Sequence, residues 1–282
     1  MSNTKKILIF LTFSALCWLI LAGWGFFHGR QGSSVDPVYN NVYNVMDLDS
    51  SFVYTYEGTD TDLSGTLRGI IMPSPDSNSA MTSRCMSILS GDVPSKLVLV
   101  VSFAEGIDHK VVTSWFDWQT PFGIVQVNGA AITHLQELGA VTDSKSVAKA
   151  DDIADIMPYF AYYFPDKRVV PLVFDSSVGM DYVIDFMDGI SQYGDGYFVL
   201  YLAPENTENT ALFSNDPNVL ASVFNEAEQT DLSGMLNAVE SLELMSMKKV
   251  LQYDGNSVLA VVTDESASSL TFDHVAVFYG KE

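Results

Sequence analysis

The chain is short of sulfur, imidazole and positive charge. It has two cysteines, Cys17 and Cys85, among 282 residues, and four histidines: His28, His109, His134 and His274. Two thiols exclude a disulfide-rich scaffold and a cysteine-based zinc site, and four scattered imidazoles make a histidine-rich metal centre hard to build. Lys and Arg number 14 against 35 Asp and Glu, a formal charge of −21. No basic stripe neutralises phosphates, so the composition argues against nucleic acid as a partner and against charge-driven docking on anionic lipid. There are no repeats and no low-complexity tracts.

What is present is apolar: 48% hydrophobic and 17% charged residues, enough for a proper core and too hydrophobic for a disordered chain. The length suits one large domain or two small ones. After Lys5 and Lys6, residues 7–27 form a run of 21 residues without a charge. As a helix that run spans about 30 Å, the thickness of a bilayer's hydrocarbon core. It is longer than the apolar region of a cleaved signal, and no clean small-residue cleavage site follows it. Two lysines precede the span and Arg30 follows it, so residues 1–30 are expected to be an N-terminal signal anchor with its transmembrane helix at about 7–27. The expected location is the cell membrane, single-pass, with the C-terminal domain extracytoplasmic; the alternative is secretion after signal cleavage. Three basic residues precede the first acid, Asp36, leaving 11 against 35 beyond residue 30, a net of −24.

Residues 31–50, rich in Ser, Asn and Asp, read as a linker. From residue 51 to 282 strand-like and helix-like segments alternate. Residues 66–72 read as a strand stopped by Pro73, and 78–89 as a helix. Residues 96–102 (KLVLVVS) are an apolar run of the length of a buried parallel strand. Residues 122–127 are strand-like, 129–138 and 148–164 helical, and 168–174 a strand with Pro171 as a mark against its centre. Residues 180–192 make an amphipathic helix and 196–202 another buried strand. Helices at 218–227 and 232–245 and strands at 259–262 and 275–279 close the chain. The alternation predicts a single α/β domain with a largely parallel central sheet.

The stretch Trp118-Gln119-Thr120-Pro121-Phe122-Gly123-Ile124-Val125-Gln126-Val127 resembles the W-x-T-P-L-G-x-V-x-V signature of the Memo family, whose members are labelled AmmeMemoRadiSam system protein B. Further segments follow in the family's order. Residues 69–79 (GIIMPSPDSNS) stand at its P-H-A-G-Y strand end, and 99–106 (LVVSFAEG) at its L-G-P-S-H-H. Residues 151–174 stand at its E-H-S helix and following strand, 199–209 at S-S-D-x-S-H, 230–239 at the C-G helix start, and 257–280 at the closing strands. The resemblance covers about residues 66–280. It implies a fold like that of the class III extradiol (LigB-type) dioxygenases, with a metal at the C-terminal ends of the strands.

It does not imply the activity. Where the family has its histidines and cysteine, this chain has Ser74, Glu105, Glu205 and Ser233; the E-H-S pair has become Ala150-Asp151, and the S-S-D acid aligns with Leu202. A neutral hydroxyl is a weak donor to iron or zinc, and carboxylates suit Mg, Ca and Mn instead. The degenerate site positions are therefore Ser74, Glu105, Asp151, Glu205 and Ser233, and the expectation is no cofactor. With the family's ligand residues gone and an anchor present, the expectation is a non-catalytic binding or scaffolding module, held to the membrane by its helix, with an unidentified protein or small-molecule ligand. The alternative is an enzyme of the same fold that uses a carboxylate-bound divalent cation for hydrolytic or lyase chemistry.

Other candidates each carry a plainer reading. Glu105, Glu205, Asp76 and Asp151 can be solvated loop acids in an acidic chain. His109 beside Lys110, His134 on a helix and His274 before a strand read as surface residues. Ser74 lies between two prolines with no histidine or G-x-S-x-G elbow linked to it. Asp76, Trp115, Trp118, Tyr159 and Tyr163 are candidate pocket-lining residues, with packing under the sheet edge as the simpler role for the two tryptophans. Tyr159, Phe160, Tyr162, Tyr163 and Phe164 occupy all faces of one helix end, so some rings must be exposed or covered by a partner.

Overall fold

The computed structural model describes residues 63, 65–92, 97–191, 197–203, 216–225, 238–252, 255–264, 267 and 270–281. The expected anchor at 7–27, the linker at 31–50, Glu205 and Ser233 lie outside the described residues. Those described belong to one compact unit, Pro37–Glu282. Among them no helix is long and apolar enough to cross a membrane.

The uncharged apolar runs form strands because two-sided burial needs apolar side chains in both directions from the pleat. The strands are β1 (Thr66–Pro73), β2 (Leu97–Ala104), β3 (Val111–Thr113), β4 (Trp118–Thr120), β5 (Gly123–Val127), β6 (Val141–Thr142), β7 (Arg168–Asp175), β8 (Tyr197–Ala203), β9 (Ser257–Thr263) and β10 (Val275–Lys281). The helices are α1 (Ser79–Asp92), α2 (Gly129–Glu137), α3 (Ser144–Lys149), α4 (Asp151–Tyr163), α5 (Met180–Ser191), α6 (Pro217–Asn225) and α7 (Ala238–Gln252). The sheet runs β4-β5-β7-β2-β8-β1-β10-β9, with β3 beside β7 and β6 beside β3. Strands β5, β7, β2, β8 and β1 are mutually parallel. Strands β10, β9, β3 and β4 run antiparallel to their neighbours β1, β10, β7 and β5. The centre is thus the expected parallel sheet and its margins are mixed.

Alternate residues of each central strand feed two cores. Ile70, Val100, Val173 and Leu200 pack with Met86 and Leu89 of α1 and Ile153 and Phe160 of α4. Ile71, Leu99, Leu172 and Val199 pack on the other face with Ile132 of α2, Phe186 of α5, Phe224 of α6 and Leu251 of α7. The architecture is a three-layer α/β/α sandwich. Because β8 lies between β1 and β2, and the helix after β1 covers the opposite face from the helix after β7, the chain reverses its winding within this sheet. Ligands of open α/β sheets bind at such points, at the C-terminal ends of the strands.

Three expectations need correction. Pro171, the mark against a central β7, sits at that strand's middle. Its carbonyl points toward β3, where the Thr113 hydroxyl donates to it at 2.7 Å. The edge that lacks an N–H therefore falls in the gap between β5, which pairs Arg168 and Val169, and β3, which pairs Leu172 to Phe174. The helix expected over 148–164 is two helices. Ala150 takes an extended conformation (φ −77°, ψ 90°) that ends α3 and starts α4. Helix α3 is itself begun by Asp143, whose carboxylate accepts from the Lys145 and Ser146 amides. Helix α7 begins at Ala238 and runs to Gln252, seven residues past the expected end at 245.

Candidate functional site

Two of the acids named from the sequence, Asp76 and Asp151, meet at the C-terminal ends of β1 and β2, together with Asp152 and Asp155. After Pro73 the chain turns through residues 74–78, with the Ser77 and Asn78 amides donating to the Ser74 carbonyl, each at 3.1 Å. Asn78 then caps α1: its side-chain oxygen accepts from the Met81 amide at 3.0 Å, and its Nδ2 donates to the Asp273 carbonyl at 2.9 Å. The turn is therefore held at both ends and presents Asp76 to solvent above α4. From the other side, the break at Ala150 aims the first turn of α4, with Asp151 and Asp152, at the same strand ends.

Asp152 is half-buried and accepts a hydrogen bond from the Ser102 hydroxyl of β2 at 3.0 Å. Burial pushes its pKa up, opposed by the Ser74 and Ser102 hydroxyls, while Asp76 and Asp151 add to the rise. One turn further along α4, Asp155 is 8% exposed. Its pKa is pushed up to about 7, first by burial, then by the charge of Asp76, by a hydrogen bond shared with Asp76, and by Asp151 and Asp152. The polar seam continues inward. Tyr159, one more turn along and fully buried, faces Ser83 of α1, and burial raises its phenol well above the usual range.

Among the candidates from sequence, the structure gathers Ser74, Asp76, Asp151 and Tyr159. It leaves Glu105 apart, exposed on the turn after β2 beside Gly106, whose φ of 72° is the left-handed conformation that such a tight turn asks of glycine. Trp118 is buried against the α4 side of the sheet with Val125. Trp115 is 44% exposed and lies over the start of α2, so close that a Cβ on Gly129 would come within 2.9 Å of its ring. Tyr163 is half-buried at the far end of α4, edge-on to Tyr162 with ring centres 4.9 Å apart. His109 acts on Asp143, His134 stands 3.4 Å from Glu137, and His274 meets the Thr271 hydroxyl at 2.8 Å. Asp152 and Asp155, the two best-enclosed acids, were not singled out by sequence. Their signal was the spacing Asp151, Asp155, Tyr159, which puts three polar groups on one helical face.

Such a group of acids can accept hydrogen bonds from a cation, exchange a proton near neutrality, or both. Among the described residues no group of three His, Cys, Asp or Glu side chains is placed to hold a metal ion. No protein-family model matches the chain, and no curated protein matches it.

Proposed function

We propose that the chain is a membrane-anchored, Memo-like protein in which the family's metal site has degenerated, and that it works as a non-catalytic binding or scaffolding module. In this reading residues 7–27 hold it in the membrane as a single-pass anchor and the α/β domain, LigB-like in its fold, lies outside. The observation that carries it is the make-up of the C-terminal strand edge. Where the resemblance puts histidines there, the described positions hold Ser74, Glu105 and Asp151. Beside them lie Asp152, which accepts from the Ser102 hydroxyl, and buried Asp155. Open α/β sheets bind ligands at this edge whether or not they carry out chemistry there, so loss of the ligand set does not remove the capacity to bind. A second reading, an enzyme with a carboxylate-held divalent cation doing hydrolytic or lyase chemistry, is favoured by the gathering of Asp76, Asp151, Asp152 and Asp155.

Elemental analysis of the detergent-purified full chain, after exposure to Fe, Zn, Mn, Mg and Ca, separates the two. Metal below stoichiometry for all five is the expected result. One equivalent of Mn, Mg or Ca that disappears in Asp152→Asn/Asp155→Asn would replace the binding module by the enzyme. One equivalent of Fe or Zn would show that the family's ligand positions fall elsewhere in this chain. Retention of the chain in carbonate-washed membranes, lost on deletion of residues 7–27, tests the anchor.

A further inference from the structure

The geometry points to the β4–β5 hairpin as the face by which the domain meets the membrane: its uncharged tip, with Tyr162 beside it, seats in the zwitterionic surface of a phospholipid bilayer. This rests on the anchor in the proposed function and adds a second, peripheral contact to it. Residues 118–128 carry no charge in a chain with 35 acids, and the hairpin leaves large apolar groups in water. Ile124 is 51% exposed, and Tyr162, edge-on to Phe122 at 5.4 Å, is 50% exposed.

The strand register sets the hairpin beyond the sheet. Val127 of β5 is level with Val169, Val98 and Phe198, each the second residue of its strand. Val127 is instead the last residue of β5, which begins four residues earlier at Gly123. The hairpin therefore projects about 10 Å past the N-terminal ends of the central strands. Strand β1 begins at this same edge, since Gly69, its fourth residue, pairs with Val199, the third of β8. Residues 1–62 thus join the domain on the side from which the hairpin projects. Among the described residues this edge also holds Arg68, Lys167, Arg168 and Lys281, which offset Asp92, Asp166 and Asp188. The acids gathered at the C-terminal ends of β1 and β2 lie at the opposite edge, away from lipid phosphates.

A bilayer fits this tip better than a protein groove does. Val125 turns inward with Trp118 on the α4 side, so by alternation Ile124 points to the other side, while Phe122 packs toward α4. The tip is thus apolar on both faces, which suits a group surrounded by lipid, whereas a groove covers one face. Its backbone is also prepared for the loss of water. The Thr120 hydroxyl accepts from the Phe122 amide at 3.2 Å and donates to the Gly123 carbonyl at 2.8 Å, and Pro121 between them has no N–H to satisfy. Aromatic rings settle at the headgroup level of a membrane. A second copy is the poorer occupant, because it brings together two bodies of net −24. Through the anchor the contact becomes intramolecular, so a small tip suffices.

The test is the full chain in phosphatidylcholine nanodiscs, with a nitrobenzoxadiazole label on Ile124→Cys or, as a control at the opposite edge, on Glu105→Cys. Both are made with Cys17→Ser; Cys85 is buried, with its thiol pushed up to about 12, and stays unlabelled. Phosphatidylcholine carrying a nitroxide near the top of its acyl chain quenches only a label that reaches the membrane interface. The Ile124 label should shift blue and lose about half of its emission or more, and the Glu105 label should keep its own. Tyr162→Glu, which puts a charge beside the tip, should abolish the quenching, and melting curves confirm that each variant is folded. A chain that enters the discs with the Ile124 label unquenched and unshifted, or with both labels quenched alike, overturns the docking and leaves the anchor standing. A blue shift without quenching means that a protein surface, a second copy included, covers the tip, and it overturns the docking too. A chain absent from the discs overturns the anchor reading and this contact with it.

Discussion

The two ends of helix α4 are made from the same thirteen residues and do opposite things. Its first turns carry Asp151, Asp152 and Asp155 to the strand ends. Its last turns carry Tyr159, Phe160, Tyr162 and Tyr163 toward the β4–β5 hairpin, where Phe122 meets Tyr162 edge-on at 5.4 Å and Phe160 stacks near Phe164 at 5.6 Å. At the aromatic end burial removes apolar surface from water and stabilises the fold. At the acidic end burial opposes ionisation, so the fold retains a proton that a free carboxylate would have lost. One end fastens the helix to the fold, and the other encloses acids at a cost in stability. A helix whose acids were all solvated or all paired would give no reason to look for a ligand.

The comparison can be broken most directly at Phe160, which is 2% exposed in the α4 core. Phe160→Ala should destabilise the protein by about 3–5 kcal/mol, read as a lower urea midpoint with the slope unchanged. At the acidic end the sign should reverse. The folded state holds a proton on Asp155 up to pH about 7, against an ordinary value of 3.8. Between those values the native state binds more protons than the unfolded one, so stability conferred by this group is present in acid and lost as pH rises from about 4 through 7. Asp155→Asn, which keeps the protonated shape, should therefore stabilise by roughly 2 kcal/mol at pH 8 and change little at pH 4, seen as two melting curves that converge in acid. A loss of stability at pH 8 would mean that Asp155 is ionised there and held by a cation. Removing the Ser102 hydroxyl should cost about 1–2 kcal/mol at pH 8, because the half-buried Asp152 carboxylate loses a donor. The smallest effect belongs to Tyr162, 50% exposed. Tyr162→Ala should cost about 0.5–1 kcal/mol through its two ring contacts, and a larger loss would reveal a covering partner.

The same contrast marks what could be read in advance. Strands β2 and β8 were legible because five and seven apolar residues in a row have few other uses in a chain of this composition. The helical face of α4 was legible as far as its aromatic end. The break at Ala150 was not, since alanine is the best helix former and no side chain caps the start of α4 there. Strands β3 and β6, with three and two residues, are too short to show a period. At the ends of β1 and β2, Ser74, Asp76 and Asp151 are legible from the strand boundaries. Asp152 and Asp155 were passed over because what distinguishes them lies far off in sequence: Ser102, fifty residues away, for one, and Asp76 for the other.

By itself the sequence determined the class of each long element, the strongly acidic charge, the 21-residue apolar run near the N-terminus and the scarcity of imidazole and thiol. Composition and periodicity are local properties, and they survive any arrangement of the chain. Only the tertiary structure decided that Pro171 fits a central strand, that Glu105 stays in water, and that Asp155 keeps its proton. Each depends on which groups are neighbours across the fold and on how much water they have lost, and a carboxyl's charge is set by that surrounding rather than by its place in the chain.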